Sequence, residues 1–87
     1  MRDLVILGST GSIGVQALEI VAGNPGAFNV VAISAYGSNP AAIIEQARTF
    51  NVQVIGVVTN AEVIREALPG VSVIDGPNAA SEIAAIT

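Results

Sequence analysis

Four short apolar runs, at residues 4–7, 30–34, 52–58 and 71–74, alternate with stretches that repeat apolar residues at helical spacing. The first run, LVIL, is continuous, the pattern of a strand buried on both faces as in parallel sheets. Ile13, Ala17, Ile20 and Val21 then predict the inner face of a helix, with Gln16 and Glu19 outside and Gly23-Asn24-Pro25 as its stop. Phe28-Asn29 leads into a second buried strand. Asn39 caps a second helix and Pro40 suits its first turn, with Ile43, Ala47 and Phe50 facing inward and Glu45 and Arg48 wet. A third strand follows, and Thr59-Asn60-Ala61-Glu62 has the spacing of a capping box that opens a third helix through Leu68. Pro69-Gly70 turns the chain into a short fourth strand, and Gly76-Pro77 starts a last helix. The order βαβαβαβα predicts an α/β fold: a parallel sheet, wound right-handedly, with helices on both faces.

Eighty-seven residues make one small domain or one part of a larger one. A chain this short buries only about 60–65% of its unfolded surface. Yet it is 52% hydrophobic and 11% charged, so part of its apolar surface is expected to meet something outside it. Aromatics are 3% with no Trp, so the core is aliphatic. The net charge of −4, with three arginines and no lysine, argues against nonspecific nucleic-acid binding, which needs clustered cations. Without Cys or His there is no disulfide framework, and a zinc site is not expected. The start of the chain is too short for the apolar region of a signal peptide, and no run approaches the ~18 apolar residues of a membrane span. A soluble, cytoplasmic domain with no membrane partner is expected.

The junction of the first strand and helix reads LGSTGSIG, with Gly8, Gly11 and Gly14 spaced G-x-x-G-x-x-G. In a βαβ unit this turn places bare backbone N–H groups at the positive end of a helix dipole, where a pyrophosphate binds. Gly8 lets the chain turn sharply, Gly11 lets phosphate oxygens reach the backbone, and Gly14 lets the helix pack closely. Thr10 and Ser12 add hydroxyl donors. The dipole contributes only ~0.3–1 kcal/mol at exposed sites, so several converging donors must supply the rest. A ligand-free turn is the plain alternative. Strand, helix and position in the chain together favour a dinucleotide site in a Rossmann-like fold.

An NAD site places Asp or Glu at the end of the second strand, about twenty residues after the glycines. That count falls on Ser34, and the stretch SAYGSNP contains no acid. Gly37, Ser38 and Asn39 instead offer donors to a 2′-phosphate, which leans towards NADP although no Arg or Lys stands in the loop. The same residues also make a turn and a helix cap. Tyr36 either stacks on an adenine or covers the sheet edge. Asp75 serves a turn; Glu45, Glu62, Glu66 and Glu82 read as solvated faces, and Arg2, Arg48 and Arg65 as surface residues. No nucleophile–base pair and no metal cluster is legible, so no catalytic or metal-binding residue is expected within the chain.

Several segments together resemble the amino-terminal part of the 1-deoxy-D-xylulose 5-phosphate reductoisomerases: LGSTGSIG (7–14), NPGAFNVVAISA (24–35), GSN (37–39), EQARTF (45–50) and GPNAASEIA (76–84). The resemblance implies an NADPH-dependent enzyme of non-mevalonate isoprenoid biosynthesis. Such an enzyme converts 1-deoxy-D-xylulose 5-phosphate to 2-C-methyl-D-erythritol 4-phosphate with Mg²⁺ or Mn²⁺, and works as a homodimer. By position, Thr10, Gly11, Ser12 and Ile13 would hold the pyrophosphate, while Gly37, Ser38 and Asn39 would meet the adenosine ribose and its 2′-phosphate. Some members carry Lys or Arg in the second loop, where this chain has Ser38. The metal, the sugar phosphate and the remaining strands of the sheet belong to sequence downstream of residue 87. Residues 1–87 are therefore expected to be the NADPH-binding, Rossmann-like amino-terminal fragment of a longer enzyme, inactive alone. Its first strand would keep an unpaired apolar edge, so the isolated piece is expected to self-associate or to be marginally stable.

Other readings are the cofactor domain of a different NADP-dependent reductase with the same turn, a binding-only module that senses a nucleotide, and an α/β module with no ligand. Downstream sequence separates the first, and nucleotide binding separates the last.

Overall fold

A computed structural model describes residues 2–85. The chain runs β1 (Arg2–Leu7), α1 (Ser12–Ala22), β2 (Phe28–Ala35), α2 (Pro40–Phe50), β3 (Val54–Val57), α3 (Ala61–Ala67), β4 (Ser72–Asp75) and α4 (Ala79–Ala84). The four strands form one parallel sheet in the order β1-β2-β3-β4.

Because each crossover steps one strand in the same direction, right-handed connections place α1, α2 and α3 on one face. Their apolar stripes close a single core: Leu18 and Val21 of α1, Ile43 and Ala47 of α2 and Ile64 of α3 pack with Val30, Ile33, Ile55 and Val57 of the sheet. The fourth helix lies on the opposite face, across β1, β2 and β3. Gly56 makes room for it: a Cβ there would stand 2.6 Å from Ile83 Cγ1. The β1–β2 register shifts between Leu4 and Val5, pairing Leu4 with Val30 but Val5 with Ala32. That extra residue turns both Val30 and Ile33 into the three-helix core although they are an odd number apart.

Expectation and structure differ at several places. The first strand is half-buried rather than buried on both faces, because it is the edge of the described sheet, and Leu7 is 52% exposed. The inner face of α1 is Gly14, Leu18 and Val21, whereas Ile13 and Ile20 are 82% and 60% exposed. The helix carries two apolar stripes, and the close approach of Gly14 to the preceding turn selects which one faces the sheet. The capping box does not form: the Thr59 N–H that Glu62 would accept donates to the Tyr36 carbonyl, and Asn60, the residue preceding α3, is left-handed (φ 62°) and makes no side-chain cap bond. Its amide is used elsewhere, as described below. Lastly, Arg65 is not a free surface residue and Glu62 not merely solvated. The Arg65 guanidinium pairs with Glu62, lies 3.8 Å from Asp75 and donates to the Val73 carbonyl at 3.0 Å, so it fastens α3 to β4.

Candidate dinucleotide site

The parallel sheet directs every strand-to-helix turn to one end, and β1 and β2 are neighbours with Leu7 opposite Ser34. The turn at residues 8–11 and the loop at 36–39 therefore meet at the carboxyl edge, the position where open α/β sheets bind ligands.

The three glycines of the first turn do different things. Gly8 is left-handed, with φ 72°, and makes the sharp turn off β1. Gly14 is fixed by packing: a Cβ there would stand 2.2 Å from the Gly8 carbonyl oxygen and 2.7 Å from Ser9 Cα. Gly11 is required by neither, since its φ is −79° and a Cβ would meet only the Gly8 oxygen at 3.4 Å. It is exposed, and its N–H closes the turn on the Gly8 carbonyl at 3.0 Å.

As the residue preceding α1, Gly11 supplies no side-chain cap, and the first helical turn carries no acidic residue. Among the described residues, no protein acceptor takes the backbone N–H groups of Thr10, Ser12 or Ile13, all of which are exposed. These donors sit where the helix dipole is positive, an arrangement complementary to an anion. The turn is held from beneath by Ser9, which is wholly buried. Its N–H donates to the Ser34 carbonyl at 2.9 Å, and its own carbonyl accepts from Gln46 Nε2 of α2 at 2.9 Å. Ser34 is thus interior, and the loop that follows begins only after Ala35.

In that second loop Asn39 caps α2 as expected, its Oδ1 accepting from the Ala42 N–H at 3.3 Å, with Pro40 in the first turn. Gly37 is buried and left-handed, with φ 108°. A Cβ there would stand 2.1 Å from the Thr59 carbonyl oxygen, so the glycine is demanded by the chain behind it. Ser38 is exposed. The cap itself is testable: Asn39→Ala should lower stability by about 1 kcal/mol in urea unfolding without nucleotide, and an unchanged midpoint would contradict it.

A pocket of about 270 Å³ opens at the same edge, walled by Leu7, Tyr36 and Val58 and floored by Ser34 and Ala79. Tyr36 is 65% exposed at its rim. Of the seven expected site residues, Thr10, Gly11 and Gly37 to Asn39 lie in these two adjacent loops, and Ser12 and Ile13 open α1 directly after the first. Ser9, Gln46 and Asn60 were missed. A buried serine, a glutamine mid-helix and an asparagine at a helix start carry no local signal of their partners. The described residues contain no group of three or more His, Cys, Asp or Glu side chains able to hold a metal ion, and no helix long and apolar enough to cross a membrane.

Residues 4–87 match the family model of 1-deoxy-D-xylulose 5-phosphate reductoisomerase. The chain belongs to this family. It is 55% identical over 85 residues to the 1-deoxy-D-xylulose 5-phosphate reductoisomerase of Corynebacterium efficiens, an alignment that covers 92% of this chain and 21% of that protein. The protein of the same name from Streptomyces coelicolor is 40% identical over 94 residues, covering 97% of this chain and 22% of the relative. Among solved structures, 1-deoxy-D-xylulose 5-phosphate reductoisomerase from Zymomonas mobilis in complex with NADPH is similar, with a TM-score of 0.88 and 28% identity. That superposition covers 98% of this chain and 23% of the other. The chain thus spans about a fifth of the length of its family relatives.

Proposed function

We propose that this chain is the NADPH-binding, amino-terminal domain of a 1-deoxy-D-xylulose 5-phosphate reductoisomerase. The observation that carries the reading is the turn at residues 8–14. It combines unpartnered N–H donors at a helix start with a glycine, Gly11, that neither backbone conformation nor packing requires. An incoming phosphate accounts for both. The NADPH complex of the Zymomonas mobilis relative, whose fold this chain shares, supports the choice of ligand.

In this reading Thr10, Gly11, Ser12 and Ile13 hold the pyrophosphate: the backbone N–H and hydroxyl groups of Thr10, Ser12 and Ile13 replace its hydration shell with fixed donors, and Gly11, without a side chain, lets its oxygens approach. Gly37, Ser38 and Asn39 meet the adenosine ribose and its 2′-phosphate. No carboxylate stands in that loop to repel the phosphate. Bound NADPH supplies a hydride for reduction of the sugar-phosphate-derived aldehyde. The groups that bind Mg²⁺ or Mn²⁺ and the substrate, and those that form a homodimer, belong to the rest of a cytoplasmic enzyme.

Calorimetric titration of the full-length protein with NADPH and NADH tests this. Binding of NADPH in preference to NADH is expected, and absence of binding by a folded protein overturns the reading. Ser38→Arg should tighten NADPH roughly tenfold and leave NADH unchanged, because a guanidinium adds charge-assisted bonds to a 2′-phosphate. An equal effect on both nucleotides would remove Ser38 from the phosphate.

A further inference from the structure

The loop at 37–39 does not hold its own shape; it is clamped from behind by the turn between β3 and α3. The Tyr36 carbonyl accepts from both the Val58 and Thr59 N–H groups, at 2.9 and 3.0 Å. The Gly37 carbonyl accepts from Asn60 Nδ2 at 2.8 Å in a partly buried contact. Gly37 has no Cβ precisely where Thr59 presses against it. Asn60 reaches this carbonyl because its own backbone is left-handed, a conformation that also takes it out of the capping role its position suggests.

We infer that Asn60 is a positioning residue for cofactor selectivity: by holding the Gly37 carbonyl from behind, it fixes the outward direction of the Ser38 and Asn39 donors. The inference rests on the proposed role of residues 37–39 at the 2′-phosphate. Asn60 touches no nucleotide in this account. Its amide turns a peptide that would otherwise rotate, and the pyrophosphate turn at residues 8–14 is tied to other partners, Ser34 and Gln46. Loss of the Asn60 amide therefore weakens the hold on the phosphate that distinguishes NADPH and spares the pyrophosphate turn that both nucleotides use.

The left-handed backbone decides the variants. Alanine at 60 would add strain of its own, whereas glycine keeps φ 62° without strain and removes only the amide. Aspartate keeps the size and tolerates this conformation but cannot donate, and it sets a negative charge behind the phosphate loop. In full-length protein, Asn60→Gly should raise the Kd for NADPH about 3- to 10-fold and leave that for NADH within about twofold. Asn60→Asp should lower NADPH preference further. Unchanged NADH affinity shows that the fold and the pyrophosphate turn are intact. A variant that keeps the unaltered protein's NADPH preference, or loses both nucleotides in equal proportion, overturns the role of Asn60. If the unaltered protein itself shows no preference, the reading of residues 37–39 falls, and this inference with it.

Discussion

Gly14→Ala is expected to disrupt the first turn and abolish NADPH binding. The added methyl would lie 2.2 Å from the Gly8 carbonyl oxygen and 2.7 Å from Ser9 Cα, both backbone atoms that no rotamer change can move. Relief requires α1 to lift from β1. That uncovers Leu18 and Val21 and pulls Ser9 from its bond to Ser34. Overpacking against side chains typically costs about 1–3 kcal/mol, and a clash with backbone on this scale should cost about 3 kcal/mol or more. For a domain whose total stability is on the order of 5–15 kcal/mol, that loss is large. Urea unfolding measures it directly. A midpoint and slope equal to those of the unaltered protein would mean that the helix does not approach the turn as described.

Gly37→Ala should have the second-largest effect, for two separable reasons. The residue is left-handed at φ 108°, which costs a non-glycine side chain about 1–3 kcal/mol. Its Cβ would also stand 2.1 Å from the Thr59 carbonyl. Gly70 separates these contributions, because it has a similar φ of 104° with nothing within 4 Å of the Cβ position. Gly70→Ala should show the backbone strain alone. Gly37→Ala should exceed it by about 1–3 kcal/mol and also weaken NADPH, since the displaced loop carries Ser38 and Asn39. Equal destabilisation by the two substitutions would contradict the contact between the second loop and the β3–α3 turn.

The fold was legible in the sequence because its signals are local. Runs such as LVIL and VVAIS, broken by Gly-Asn-Pro and by the Asn39-Pro40 cap, predict βαβ units from patterns a few residues long. Chirality then limits how such units stack. What was misread depended on partners far along the chain. Ile13 and Ile20 lie on an apolar stripe as plausible as that of Leu18 and Val21. Only the contact of Gly14 with residues 8 and 9 decides between them. The Thr59-Asn60-Ala61-Glu62 spacing fits a capping box, but a carbonyl 23 residues earlier, that of Tyr36, takes the Thr59 N–H that Glu62 would have accepted. The strand expected at 52–58 is shortened at both ends by such bonds. The Val52 N–H closes the end of α2 on the Ala47 carbonyl, and the Val58 N–H goes to Tyr36. At the candidate site, glycine spacing pointed to the loops. The division of labour among Gly8, Gly11 and Gly14 required their φ angles and neighbours.

The central claim is that the donors around Gly11 receive the diphosphate of NADPH. Its most direct test is an amide-resolved NMR titration of the isotope-labelled full-length protein with NADPH and, separately, NADH. The account predicts shifts concentrated at Thr10, Gly11, Ser12 and Ile13 with both nucleotides, and shifts at Gly37, Ser38 and Asn39 that are larger with NADPH. A well-dispersed spectrum in which residues 10–13 do not respond to NADPH would contradict it and leave the glycines as the makers of a tight turn alone.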